Sequence, residues 1–145
     1  MLMTTDEFKC NTLDSLTIIS PSKGEYVGVI RLTVSGIANR MGFDIEQIED
    51  IKVAVAEACT NVITHSRSNE FKVVFGIYED KLEIQVKDNG KGYEVEKIKE
   101  PNLSDPKESG LGIFIIKSLM DEVEIISNVD SGTEVKMIKY LGVDI

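Results

Sequence analysis

The stretch Ile51-Lys52-Val53-Ala54-Val55-Ala56-Glu57-Ala58-Cys59-Thr60-Asn61-Val62-Ile63 decides how this chain is to be read. It lies in a run from about Asp44 to His65 that reads as one helix. Ile48, Ile51, Val53, Ala54, Val55, Ala56, Ala58, Cys59, Val62 and Ile63 leave almost no polar face in its second half, so the helix is expected to be largely buried. Glu57 and Asn61 stand four residues apart on it and share a face. A carboxylate and a carboxamide in such surroundings need partners, because burying either alone is costly.

Two sets of partners suit them. In one, Glu57 pairs with a lysine and Asn61 bonds backbone carbonyls, the usual fate of buried polar groups. In the other, the partners are a Mg²⁺ ion and a phosphate chain, since Mg²⁺ favours oxygen ligands and commonly takes only one or two from protein. Asn61 then ligates through its amide oxygen, and Glu57 acts as a general base on a hydroxyl or water approaching a terminal phosphate.

Two further polar-and-glycine islands follow. Asp88-Asn89-Gly90-Lys91-Gly92 ends a strand marked by the alternation of Leu82, Ile84 and Val86. Asn89-Gly90 is also a hairpin signal, with Tyr93 and Val95 able to begin a partner strand. Against that, Glu94, Glu96, Lys97, Lys99 and Glu100 dilute the pattern, and Pro101 and Pro106 suit a mobile loop. Two glycines at alternate positions let the backbone approach a planar ligand, with the Asp88 carboxylate available to accept a hydrogen bond from it. Ser109-Gly110-Leu111-Gly112 precedes the helical run Ile113-Phe114-Ile115-Ile116. Free N–H groups and the positive end of the helix dipole make such a junction a natural phosphate site, although a flexible loop entering a helix reads the same way. No Gly-Lys-Ser/Thr follows, and Ile115 occupies the third glycine position of a dinucleotide fingerprint.

In order and spacing the islands resemble the N, G1 and G2 boxes of the ATP-binding fold shared by gyrase, Hsp90, histidine kinases and MutL. Within that superfamily the chain is most similar to the bacterial anti-sigma-factor serine kinases of the anti-sigma-B (RsbW) type. The likeness runs from Glu25-Tyr26-Val27-Gly28 through Arg40-Met41-Gly42 and Ile48-Glu49-Asp50-Ile51 to Asn61, and resumes at Gly110-Leu111-Gly112, Leu119-Met120-Asp121-Glu122-Val123 and Lys139-Tyr140-Leu141. It implies Asn61 on Mg²⁺, Glu57 as catalytic base, Asp88 on the adenine amino group, and Gly90, Gly92, Gly110, Leu111 and Gly112 around the nucleotide. Thr60 would add a hydroxyl to the phosphates, or else bond its own helix backbone. The implied reaction moves the γ-phosphate of ATP to a serine of an anti-anti-sigma protein, the kinase otherwise holding a sigma factor inactive. Arg31 matches a position used to grip the sigma factor, although an exposed arginine on a helix is commonly just solvated. A homodimer through the first strand and first helix is implied as well.

One departure matters. Sporulation relatives carry an arginine just before the Ser-Gly-x-Gly, where this chain has Glu108. Lys107 is the nearest cation and would substitute as a point charge, without the planar fork of arginine. If it does not, the alternative is a catalytically weak, nucleotide-dependent sigma-factor-binding module. A detached histidine-kinase catalytic domain is disfavoured: His65, at the end of the Glu57 helix, is the sole histidine, and no separate helical hairpin is present. The segment 93–109 is expected to be a mobile ATP lid, shorter than in the anti-sigma-B branch.

Composition bounds the rest. At 145 residues and 42% hydrophobic, one domain spanning 1–145 is expected. With 25 acids against 16 bases the net charge is -9, which argues against a nucleic-acid partner. No apolar run spans a bilayer and no cationic leader opens the chain, so a cytoplasmic protein without a membrane partner is expected. Cys10 and Cys59 are far apart and expected to stay reduced.

The periodicities predict a strand near Ser15–Ser20, helices from about Glu25 to Arg40 and Asp44 to His65, and strands at Phe71–Tyr78 and Lys81–Asp88. A helix from near Gly112 and strands at Glu122–Asn128 and Thr133–Leu141 follow. That order suggests an α+β, two-layer sandwich of the Bergerat ATP-binding type, with helices on one face of a mixed, mostly antiparallel sheet.

Overall fold

The computed structural model describes residues 12–88, 110–128 and 132–142. The chain runs β1 (Thr12–Pro21), a single 3-10 turn (Gly24–Tyr26), α1 (Val27–Met41), α2 (Ile45–His65), β2 (Glu70–Tyr78), β3 (Lys81–Asp88), α3 (Gly110–Leu119), β4 (Glu122–Asn128) and β5 (Gly132–Tyr140). The five strands form one sheet in the order β1-β2-β3-β5-β4. All four ladders are antiparallel, so the α+β sandwich expected from the sequence is present without a parallel pair among the described strands.

Local chemistry explains the helix bounds. Asp44 caps α2: its Oδ1 accepts from the Gln47 N–H at 2.7 Å, while Gln47 Oε1 accepts from the Asp44 N–H at 3.1 Å. This reciprocal box satisfies two donors that a helix start leaves free. Helix α1 ends at Gly42, whose φ of 102° is a left-handed turn that glycine adopts without strain. The N–H groups of Gly42 and Phe43 both return to Ala38 O. Chain direction thus reverses within a few residues, and α2 runs back alongside α1.

The three helices cover one face of the sheet. Ile30, Val34, Ile37 and Ala38 of α1 meet Ile51, Ala54, Val55, Ala58 and Val62 of α2, with Val27 and Met41 packed at the margin as the helical spacing predicts. Phe71, Val73 and Phe75 of β2, Leu82, Ile84 and Val86 of β3, and Val135 and Met137 of β5 rise to meet them. Each such fully buried side chain contributes about 1.5–3 kcal/mol over an exposed one. Helix α2 is the middle helix and lies over β3, the middle strand.

One expectation needs correcting. The second half of α2 is not apolar on every side towards a core: Val53 and Thr60 are exposed, and Ala56 and Glu57 are half-buried. The helix lies at the surface of a two-layer fold, so small apolar residues on its outer side need no covering.

Candidate functional site

Helix α3 begins at Gly110, two residues earlier than the sequence suggests, so Gly112 falls inside its first turn, where backbone N–H groups lack helical partners. A β-carbon at Gly112 would stand 3.1 Å from Glu57 Oε1, 3.2 Å from Asn61 Oδ1 and 3.3 Å from Asn61 Nδ2. The first and third islands therefore meet. Any other residue at 112 would press on the carboxylate and the carboxamide, so glycine brings the start of α3 directly onto their shared face.

Neither internal partner suggested by the sequence is found among the described residues. No lysine or arginine of that set forms an ion pair with Glu57. Asn61 is 5% exposed, and its buried Nδ2 has no acceptor there. An unmet buried donor costs about 1–3 kcal/mol. A phosphate oxygen is the kind of acceptor that would relieve it, and the amide oxygen of the same side chain suits a hard cation. The residues present thus fit Mg²⁺ and a phosphate chain. Thr60 is exposed and, among the described residues, makes no bond back to its helix, unlike Thr33 of α1, which donates to Val29 O at 2.9 Å.

Asp88 closes β3 on the helix-facing side, in line with Leu82, Ile84 and Val86, and is 6% exposed opposite Phe71. Leu111 is half-buried at the start of α3. Arg31 lies exposed on α1. Gly90, Gly92, Lys107 and the expected lid at 93–109 lie outside the described residues, as does Cys10. His65 ends α2, where partial burial lowers its pKa. Cys59 is a free thiol sealed in the core, and burial pushes it up to about 12. A groove of about 600 Å³ lined by Leu16, Ile37, Arg40, Met41, Ile77 and Leu141 sits at the other end of β2 from Asp88 and includes none of the candidate residues.

A polar cluster at the far end of α3 goes unnoticed in the sequence. Lys139 is 9% exposed on β5, and its Nζ donates to Leu119 O at 2.6 Å. Its signal is positional: Thr133, Val135, Met137 and Lys139 share the buried phase of one strand, so the lysine stands where an apolar residue is expected. Among the described residues, no helix is long and apolar enough to cross a membrane.

Comparison with known proteins bears on the family. Residues 20–139 match the family described as histidine kinase-like ATPase domain. The serine-protein kinase RsbW of Oceanobacillus iheyensis is 46% identical, over 88% of this chain and 87% of that protein. The protein of the same name from a Bacillus cereus strain is 45% identical, over 83% and 81%. The crystal structure of the RsbU and RsbW domains of a Mycobacterium tuberculosis protein superposes with a TM-score of 0.69 at 16% identity, covering 90% of this chain and 33% of that one. A histidine kinase domain from Erythrobacter litoralis gives 0.54 at 22% identity, over 83% and 61%. These two likenesses concern the fold. The sequence matches decide the family: the chain belongs to the histidine kinase-like ATPase domains and, among them, to the RsbW serine-protein kinases.

Proposed function

We propose that this protein is an anti-sigma factor that sequesters a stress-response-type sigma factor and uses Mg-ATP to phosphorylate a serine of its anti-anti-sigma antagonist. The observation that carries this reading is the contact of Gly112 with Glu57 and Asn61. It aligns a helix N-terminus with a carboxylate and a carboxamide for which the described residues supply no lysine, arginine or acceptor.

In this reading the serine hydroxyl attacks the γ-phosphorus, Glu57 takes its proton, and the bond to the β-phosphate oxygen breaks as ADP leaves. Asn61 would hold a Mg²⁺ ion, and the charge it would supply offsets that of the phosphate oxygens. The N–H groups around Gly110, Leu111 and Gly112 donate to the phosphates at the positive end of α3, and Thr60 adds a hydroxyl from the exposed side of α2. Asp88 accepts from the adenine amino group, with Gly90 and Gly92 letting the ring approach. Lys107 supplies the cation that the arginine of sporulation relatives would otherwise provide.

The partner assignments rest on exposure and family. Arg31 on α1 meets the sigma factor. A homodimer through β1 and α1 is supported by apolar side chains left open there, Ile19 at 62% and Leu32 at 73% exposure. The chain works as one ATPase domain in the cytoplasm.

The test is ATP calorimetry with and without Mg²⁺ on the wild type and Asp88→Asn, followed by γ-phosphate transfer to an anti-anti-sigma protein. Mg²⁺-dependent binding that the substitution abolishes, with label on serine, supports the kinase. Binding without transfer leaves a nucleotide-dependent sigma-binding module, and no binding removes the reading.

A further inference from the structure

Lys139 occupies a helix-facing position on β5, opposite the buried Leu82, where an ammonium is costly unless compensated. Its compensation comes from three elements. Nζ donates to the carbonyl of Leu119, the last residue of α3, and lies 3.9 Å from Asp50 Oδ2 on α2 and 4.0 Å from Asp121 Oδ1 in the following turn. A cation at the carbonyl end of a helix also meets the negative end of its dipole. Asp121 is fixed in turn, its Oδ2 accepting from the Tyr140 N–H at 2.7 Å and its own N–H donating to Ile138 O at 3.0 Å.

The positions of these groups along the two helices carry the argument. Asp50 precedes Glu57 by two helical turns on the same face of α2, and Leu119 follows Gly112 by two turns on α3. Helix α3 therefore runs antiparallel over that face with a fixed point at each end. At one end Gly112 touches Glu57 and Asn61; at the other, Lys139 joins Leu119 to Asp50. Glycine has no side chain with which to interlock, so the contact at Gly112 cannot set its own register. Ile113 and Ile116, with Met120 just past its end, bury the same helix without direction-specific bonds.

We infer that Lys139, acting with Asp50, is a positioning residue for the nucleotide site: it holds α3 in register along α2 so that the N–H groups at Gly110–Gly112 meet the phosphates above Glu57 and Asn61. The inference rests on the kinase reading. It separates register from stability, because both carboxylates that Lys139 meets are partly exposed, so water takes over their solvation when an apolar side chain of similar length replaces the ammonium.

The experiment measures Mg-ATP affinity by calorimetry, with thermal melts of the nucleotide-free proteins, for the wild type, Lys139→Met, Lys139→Arg and Asp50→Asn. Lys139→Met is expected to stay folded and to bind ATP about tenfold more weakly, while Lys139→Arg, which keeps donors for Leu119 O and both carboxylates, stays within about threefold of the wild type. A folded Lys139→Met with wild-type affinity overturns the inference and leaves the lysine a staple of the fold. Should that variant fail to fold, Asp50→Asn decides: it keeps the bond to Leu119 but loosens the tie to α2, and is expected to weaken ATP binding about threefold with an unchanged melting temperature. Unchanged affinity there overturns the inference too. A wild type that binds no ATP overturns the kinase reading itself, an outcome visible before any variant is compared.

Discussion

Gly112 on α3 lies so close to Glu57 on α2 that a single added carbon would stand 3.1 Å from the carboxylate oxygen. The atoms it would meet are the ends of side chains, which can give way by a few tenths of an ångström, and not backbone. Gly112→Ala should therefore leave the fold intact and even favour the helix by up to about 1 kcal/mol. Phosphotransfer should nevertheless fall by at least about tenfold, because displacement of a reacting group by a fraction of an ångström is costly in rate. Thermal melts and a transfer assay on the same preparation check both signs; loss of activity only in proportion to lost folded protein would disprove the close-approach role.

Glu57 and Asn61 share a face but, in the proposed reaction, not a role. Glu57→Ala is expected to abolish serine phosphorylation while ATP affinity stays within about threefold, as befits a base that acts in the transition state. Asn61→Ala should weaken Mg-ATP binding as well. It should also stabilise the nucleotide-free protein, or at worst leave it unchanged, since Nδ2, which has no acceptor among the described residues, no longer costs its about 1–3 kcal/mol. Equal loss of ATP affinity in both variants would cancel the division of labour.

The cap on α2 gives a prediction about stability alone. Asp44→Ala removes the acceptor for the Gln47 N–H and should lower unfolding free energy by about 1 kcal/mol, measured by urea titration. Because Asp44 sits at the opposite end of the helix from Asn61, ATP affinity per folded molecule is expected to be unchanged.

Cys59 supplies a dependence on pH. Burial holds its thiol protonated until about 12, against 9.0 for the free group. Between those values the unfolded chain gives up a proton that the folded chain keeps, so stability falls as pH rises through that window. Urea titrations at about pH 8 and about pH 10 should show a larger loss for the wild type than for Cys59→Ala. Alkylation of this thiol at about pH 8 should require unfolding, since the thiolate is the reactive form.

Most of the framework is legible in the residues. Leu82, Ile84 and Val86 alternate because β3 has one covered face, and Ile30, Val34, Ile37 and Ala38 recur at helical spacing because α1 has one covered stripe. Glu57 and Asn61 announce themselves as polar groups in an apolar run. What sequence spacing does not reveal is contact between segments far apart in the chain. That Gly112 touches Glu57, and that Lys139 reaches Asp50, depends on how α3 lies across α2, and no local pattern encodes a crossing. The start of α3 is misread by two residues because glycine carries no preference that distinguishes the last loop residue from the first helical one. Val53 and Ala56 mislead in another way: apolar content signals burial only when every side of a helix has something to bury against.

The place of β5 in the sheet has a bearing on biosynthesis. This strand is the last of those described, yet it lies between β3 and β4 and supplies Lys139. A chain growing from a ribosome, amino terminus first, has already released β3, α3 and β4 while their common neighbour is still unmade. Until then β4 has no partner among the described strands, one edge of β3 stands open, and α3 lacks the bond from Lys139 to Leu119 O. An open strand edge exposes a nascent chain to aggregation. The described sheet becomes continuous only when residues 132–140 emerge.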